Sequence, residues 1–315
     1  MTPSRNTRIA NTVVFAYSDI GVRCLSVLLA CKQINIALVV THRDSASENV
    51  WFDSVASLAA LNDIPVITPD NVNAPEVIEK IRKLKSDLMF SFYFRQLLCE
   101  EILNIPALGA FNMHGSLLPR YRGRAPVNWV VLRGETETGA SLHRMVAKPD
   151  AGNLIDQQAV AILPNDTAFQ VHQKVAVAAE QVLMRSVPLL VDGSAKETAI
   201  DITKGNYCGG RKPEDGRIHW SQSAAIIHNL IRAVAPPYPG AFFDVDKHRI
   251  ELFGSYYREL PALGDAVRIY REHHALWADC IDGKRFQILA MKVDGHTCDA
   301  HQFAAMFGNH LVLPI

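Results

Sequence analysis

The sequence predicts an α/β fold, with a Rossmann-like parallel-sheet domain followed by a small OB-like β-barrel domain. Over the first two-thirds of the 315 residues, short apolar runs alternate with segments of helical periodicity. This alternation is typical of a parallel sheet with helices on both faces. After about residue 205, short β-type runs follow one another, separated by turn signals. That pattern indicates a small antiparallel barrel. We therefore expect domains at 1–205 and 206–315.

In the first domain, strands are predicted at short apolar runs, and helices where apolar residues recur every three or four positions. The predicted strands are TVVFAY (12–17), IALVVTH (36–42), IPVIT (64–68), DLMFSFYF (87–94), GAFNMH (109–114), TGASLHRMV (138–146) and NLIDQQAVAIL (153–163). The predicted helices are 21–33, 50–63, 74–86, 125–134 and a long closing helix at 166–193. Asp166 or Thr167 is expected to cap this last helix.

In the second domain, one helix is predicted at 223–235, where the sequence PPYPG ends it. Five strands follow, bounded by Asp-Lys, Pro and Asp-Gly-Lys turn signals. They are AFFDV (241–245), RIELFGSYY (249–257), DAVRIYRE (265–272), ALWADCI (275–281) and RFQILAMKV (285–293).

The composition is that of an ordinary globular protein, with 49% hydrophobic and 20% charged residues. Lys+Arg and Asp+Glu both number 32, so the chain lacks the cationic surplus of a general nucleic-acid binder. The six cysteines form no CxxC pair, so we expect reduced thiols and no metal site. With no apolar run of about 18 residues and no signal-peptide core, we expect a cytoplasmic protein without a membrane span.

The first predicted strand is followed by YSDIG, in which Gly21 is the only glycine. A dinucleotide site would need G-x-G-x-x-G at this turn, and an ATP site of the P-loop type would need a Walker A sequence. Neither is present in the sequence, so an NAD or ATP site at this turn is not supported.

The stretch GAFNMHGSLLPRYRGRAPVNW, residues 109–129, ends an apolar run with Asn112 and His114. Ligands bind beyond the carboxyl ends of parallel strands, and residues two apart on a strand share a face. An amide and an imidazole at such a place suit attack on a carbonyl carbon, because one stabilises the oxyanion and the other handles protons. Spacing alone equally allows two polar residues that cap a turn.

Three further features lie near this pair. Asp150 occupies a Pro- and Gly-flanked turn, from which its carboxylate would favour the charged form of His114. Taken as a lone aspartate, it is better explained as a turn former. Arg120, Arg122 and Arg124 alternate in the loop after His114. They either present guanidinium groups to a carboxylate or phosphate, or form a solvated surface. His143 and the other histidines are interpreted as surface or packing residues.

The combination of Asn112-x-His114, the sequence GSLLPRYRGRAP and Asp150 resembles the signature of 10-formyltetrahydrofolate-dependent formyltransferases. The resemblance covers nearly the whole chain. It implies that 1–205 is the catalytic domain, that 206–315 is the OB-like C-terminal domain, and that the trio is catalytic. It also implies a folate co-substrate, whose pocket would be formed by Gln96, Leu97, Leu98, Arg124, Val146, Ala147, Lys148 and Pro149.

Several stretches, among them VVFAYSDIG, PVITPDNVN and DAGNLI, are similar to the enzymes of this family that formylate UDP-4-amino-4-deoxy-L-arabinose. This implies a small nucleotide-sugar acceptor, a role in lipid A modification and polymyxin resistance, and no metal, nucleic-acid or membrane partner. Such enzymes often continue into an NAD-dependent decarboxylase domain. This sequence ends at Ile315, so we expect a free-standing formyltransferase or an excised one.

Four alternatives remain open. Methionyl-tRNA formyltransferase shares the trio, but it carries a basic loop after its second strand. The matching stretch here, 41–55, holds one Arg and one His against Asp44, Glu48 and Asp53, which disfavours tRNA. Formyltransferases for other nucleotide-linked amino sugars and a formyltetrahydrofolate hydrolase are the second and third. A folate- or nucleotide-binding module without activity is the fourth, and the intact trio argues against it.

Overall fold

The structure is a computed structural model, and it describes residues 8–45 and 49–314. Glu48, part of the loop compared above, lies outside these ranges. The chain divides into two compact units. The first contains the residues up to Arg124, 138–160 and 173–208, and the second contains 125–137, 161–172 and the residues from Gly209 onward. The division predicted at 205/206 stays a prediction.

Nine strands lie wholly or mostly in the first unit. They are β1 (Ala10–Ala16), β2 (Ile34–Val40), β3 (Val66–Ile67), β4 (Leu88–Phe92), β5 (Gly109–His114), β6 (Arg122–Gly123), β7 (Glu137–Arg144), β8 (Leu154–Ala161) and β9 (Tyr207–Cys208). Seven form one sheet in the order β3-β2-β1-β4-β5-β7-β8, while β6 and β9 pair separately. All seven predicted strands are therefore confirmed, most of them shorter than predicted.

The sheet is parallel from β3 to β5, as predicted. All five residues of β4 are buried, as expected of a strand covered on both faces. The prediction was wrong at one place, because β7 runs antiparallel to β5. Parallel neighbours need a crossover that packs back on their sheet. The segment 125–137 between β5 and β7 belongs instead to the second unit.

The helices of the first two-thirds of the chain are α1 (Ser18–Ala30), α2 (Val55–Ala60), α3 (Pro75–Lys83), α4 (Glu100–Leu103), α5 (Pro126–Leu132) and α6 (Ala168–Asp192). All five predicted helices are present, and the short α4 was not predicted. Thr167 caps α6, because its Oγ1 accepts from the Gln170 N–H at 3.3 Å and Gln170 Oε1 accepts from the Thr167 N–H at 2.8 Å. This reciprocal pair is a capping box. Asp166 instead accepts from the Leu163 N–H.

The second unit contains α7 (Ala224–Ala233), α8 (Ala300–Phe307) and an antiparallel sheet. Its strands are β10 (Ala241–Val245), β11 (His248–Pro261), β12 (Arg268–Glu272), β13 (Ala275–Asp279), β14 (Lys284–Val293), β15 (His296–Thr297) and β16 (His310–Val312). The sheet order is β10-β11-β14-β13-β12-β16, and β15 pairs with β14. The five predicted strands and α7 are confirmed, and the sheet is a curled half-barrel consistent with the predicted OB-like domain.

The core of this sheet is aromatic at its centre. Trp220 packs edge-on against Phe243 at 5.2 Å and stacks with Phe286 at 6.4 Å, and the Phe286 side chain is fully buried. In the described ranges, no helix is both long and apolar enough to cross a membrane. All six cysteines are free, as predicted.

Candidate active site

Asn112 and His114 lie on the last three residues of β5. In the antiparallel register with β7, Asn112 is directly opposite His143, and His114 is opposite Ser141. Side chains directly opposite each other on antiparallel strands share a face and lie close together. The Asn112 Nδ2 is accordingly 3.1 Å from the His143 Nε2.

Asp150 joins this pair from the loop after β7. Its Oδ1 lies 3.6 Å from His114 Nδ1 and 3.5 Å from His143 Nε2. The two imidazoles are 6% and 2% exposed as residues, so the cluster is almost dry. The structure thus brings together the three residues predicted from the sequence, although Asn112 is connected to Asp150 through His143.

A second contact of His114, with the backbone of Tyr121, shows which ring nitrogen carries a hydrogen. Its Nε2 lies 2.8 Å from the carbonyl oxygen of Tyr121. A carbonyl only accepts, so Nε2 carries the hydrogen. The other nitrogen, Nδ1, faces the Asp150 carboxylate at a distance too long for a formed hydrogen bond. Nδ1 is therefore the nitrogen that remains available to a substrate.

Asp150 is held in its ionised form. Burial by itself would raise its pKa, but the charge of His114, the contact with His143 and the Gly123 N–H together bring the pKa well below the usual range. The Gly123 N–H donates to Asp150 Oδ2 at 2.8 Å. Asp150 also has a φ of +51°, a left-handed conformation that Asp and Asn adopt more readily than most residues.

The loop that supplies these backbone groups is held by β9. Tyr121 and Gly123 both have positive φ, at +57° and +93°. Asn206 accepts the Tyr121 N–H on its Oδ1 at 2.7 Å and the Arg122 N–H on its carbonyl oxygen at 3.1 Å. The chain at 206–208 therefore fixes both the carbonyl that orients His114 and the N–H that binds Asp150.

His143 and Asn206 were missed by the sequence analysis. The interpretation of His143 as a surface or packing residue was wrong, since it contacts both Asn112 and Asp150. Its partner depends on the register of β5 with β7, and a single sequence does not specify that register. The only available signal for Asn206 was a polar residue just after the turn residues Lys204 and Gly205.

Two family models match the chain. The model described as formyl transferase matches residues 11–187, and the model of the formyl transferase C-terminal domain matches residues 211–308. The chain belongs to the formyl transferase family. The prediction of a formyltransferase with two such domains is confirmed.

Solved structures of formyltransferases share this fold. An N-formyltransferase from Helicobacter canadensis, in complex with folinic acid and dTDP-3-aminofucose, is 22% identical with a TM-score of 0.72, over 89% of this chain and 98% of that chain. The sugar 3-N-formyltransferase WlaRD is 22% identical with a TM-score of 0.69, over 89% and 97%. A 4-N-formyltransferase from Francisella tularensis is 19% identical with a TM-score of 0.61, over 76% and 93%.

The residues predicted to contact the donor in this formyl transferase lie in two segments and the Arg loop. After β4, Gln96 accepts the Val72 N–H at 2.8 Å, Leu97 is exposed, and the Leu98 side chain is buried in the hydrophobic core. The Leu98 side chain therefore anchors this segment to the hydrophobic core and is not exposed for contact with a donor.

The second segment is the loop between β7 and β8. Val146, Ala147 and Lys148 are exposed, and Pro149 is half-buried beside Asp150. Arg124 is exposed and is held by its backbone N–H, which donates to the Cys208 carbonyl at 2.9 Å. In the two described ranges, no group of three His, Cys, Asp or Glu side chains has a geometry that would hold a metal ion.

Proposed function

We propose that this protein transfers a formyl group from 10-formyltetrahydrofolate to the amino group of a nucleotide-linked sugar. The observation that carries the proposal is the dry contact of His114 with an ionised Asp150 at the end of β5, beside the Asn112 amide. The N-formyltransferase from Helicobacter canadensis, whose complex contains folinic acid and dTDP-3-aminofucose, supports it.

In the proposed reaction, the neutral amine of the sugar attacks the formyl carbon that is bonded to N10 of the folate. A C–N bond forms, and the formyl oxygen becomes an oxyanion. The Asn112 amide has two N–H groups, and the contact with His143 occupies only one of them. The second N–H of Asn112 and the protonated Nδ1 of His114 stabilise the oxyanion.

Collapse of this intermediate breaks the bond between the formyl carbon and N10. The departing nitrogen needs a proton, which His114 supplies from Nδ1, and the attacking amine loses a proton to complete the balance. The Asp150 carboxylate lies 3.6 Å from His114 Nδ1, and the Tyr121 carbonyl keeps the ring oriented throughout. No residue is assigned as the acceptor of the proton from the amine.

For the acceptor, we infer UDP-4-amino-4-deoxy-L-arabinose, formylated at its 4-amino group, and a role in lipid A modification. The support is the likeness of the sequence to the formyltransferase domain of the polymyxin-resistance protein ArnA. The structural relatives include both 3-N- and 4-N-formyltransferases, so the position of the amine is part of this proposal. The donor pocket proposed from Gln96 to Leu98, Arg124 and Val146 to Pro149 serves either acceptor.

An acceptor panel tests the proposal. The purified chain is incubated with 10-formyltetrahydrofolate and, separately, UDP-4-amino-4-deoxy-L-arabinose, dTDP-3-amino and dTDP-4-amino sugars, and methionyl-tRNA, with mass spectrometry of the product. The expected result is a mass gain of one formyl group on the UDP sugar, with His114→Ala reducing turnover at least about a hundredfold. Formylation of methionyl-tRNA alone, or consumption of the donor without any acceptor, would contradict it.

A further inference from the structure

Arg122 is a buried cation that the described part of the chain leaves without a counter-charge. The residue is 9% exposed, its Nε is fully buried, and that nitrogen makes no hydrogen bond. Across residues 8–45 and 49–314, no carboxylate forms an ion pair with its guanidinium. Its guanidinium makes a cation–π contact, in which Cζ lies 5.9 Å from the centre of the Tyr207 ring.

The other buried arginine in the described ranges, Arg232, is partnered. Arg232 donates from Nε to Asn229 at 2.8 Å and from Nη1 to the Asp166 carbonyl at 3.0 Å. Arg285 is half-buried and its Nε also makes no hydrogen bond, but its Nη1 donates to Tyr270 at 2.9 Å and to the Glu272 carboxylate at 3.0 Å, which supplies a counter-charge. An unpaired buried charge costs several kcal/mol of folding free energy. Arg122 is therefore the expected place for an anion that arrives with a substrate.

The position of Arg122 connects it to the catalytic cluster. The residue before it, Tyr121, supplies the carbonyl that binds His114, and the residue after it, Gly123, supplies the N–H that binds Asp150. An anion on this guanidinium would lie beside the reacting groups. Arg120, by contrast, stacks on Tyr121, and Arg124 is exposed.

Tyr207 supplies a different kind of surface at the same place. It is 60% exposed, and its ring lies against Gly123, where an added Cβ would be 2.9 Å from the tyrosine Cζ. Exposed aromatic rings stack on nucleobases, and guanidinium groups bind phosphates. A ligand packed on the ring comes within reach of the guanidinium behind it. The combination matches a nucleoside diphosphate.

We propose that Arg122 and Tyr207 form the binding site for the nucleoside diphosphate part of the acceptor. This proposal rests on the proposed function, in which the acceptor is a nucleotide-linked sugar. The base stacks on Tyr207, and the diphosphate neutralises Arg122.

The test uses Arg122→Met, which keeps an extended side chain and removes the charge. It measures nucleotide affinity, which should fall, and the melting temperature, which should not. Calorimetric binding of UDP and of dTDP should weaken about tenfold or more, as for the loss of a charge-assisted contact. The melting temperature of the ligand-free protein should stay equal or rise, because an unpaired buried charge has been removed. Tyr207→Ala should weaken the same nucleotides, and Arg122→Lys should retain part of the binding.

Arg285→Met is the matched control, since it removes an arginine with a carboxylate partner. It should lower the melting temperature and leave nucleotide binding unchanged. The proposal is overturned if Arg122→Met leaves nucleotide binding intact, or if it lowers folate affinity in place of nucleotide affinity. It is also overturned if Arg122→Met lowers the melting temperature as the control does, or if the native protein binds neither nucleotide. Arg122-dependent nucleotide binding without formylation of any amino sugar would uphold this site and reject the proposed function.

Discussion

The substitution Asp150→Asn tests the electrostatic role of the trio with little change of shape. Asparagine is close in size and tolerates the left-handed backbone at this position, where φ is +51°. It removes the negative charge that lies 3.6 Å from His114 Nδ1. At an effective dielectric constant of ~20, two unit charges at this distance attract by about 4 to 5 kcal/mol. Since part of this energy is offset by relaxation and water, we expect kcat to fall about a hundred- to a thousandfold.

The assay is a steady-state formylation measurement with the acceptor identified by the panel. The control is Asp156→Asn, which removes a carboxylate paired with Arg185 at the edge of the same sheet. An Asp150→Asn variant that keeps kcat within tenfold of the native value would refute the reasoning.

Four further outcomes are expected. Folding stability should be lower in Asp150→Asn than in the native protein at neutral pH, because a carboxyl whose pKa is lowered by folding stabilises the folded state where it is ionised. The difference should narrow progressively as the pH falls below about 4, which urea titrations at several pH values measure. His143→Ala should lower kcat about tenfold or more while the KM of the donor stays within about twofold, since it removes the shared partner of Asn112 and Asp150. Asn206→Ala should lower kcat about tenfold and Asn206→Asp much less, because only the aspartate keeps a side-chain acceptor for the Tyr121 N–H. An equal loss of kcat in both variants would contradict a role for this hydrogen bond. Phe286→Ala should destabilise the protein by about 3 to 5 kcal/mol in urea, as for a fully buried aromatic side chain.

The parts of the fold that follow a local sequence pattern were predictable from the sequence. The strands β1, β2 and β4 are apolar runs, and the helix cap is formed by Thr167 and Gln170, so each pattern is complete within a few residues. The last elements of the second unit, β15, α8 and β16, were not predicted. Helix α8 begins with an Asp299–Gln302 capping box that is readable in the sequence, but no element was predicted after residue 293.

The direction of β7 was not predictable from periodicity, because alternation along a strand is the same whichever way the strand runs. Direction depends on where the connecting segment packs, and the segment 125–137 packs in the second unit. The same long-range information decides the partners of His143 and Asn206. Asn206 reaches Tyr121 across 85 positions of the chain, and no local pattern encodes such a contact.

The reversal at β7 is also what assembles the cluster. Antiparallel pairing sets His143 directly across from Asn112 in the ladder. Strand β7 ends opposite Phe111, and the loop after it folds back to bring Asp150 within 3.6 Å of His114 Nδ1. A parallel β7 would have placed His143 in a different register with β5 and would have lost this pairing. The departure from a uniform parallel sheet therefore lies at the point where two strands supply the amide and both imidazoles. On this argument, a substitution that shifts the register of β7 by one residue would separate Asn112 from His143 by turning the latter to the other face.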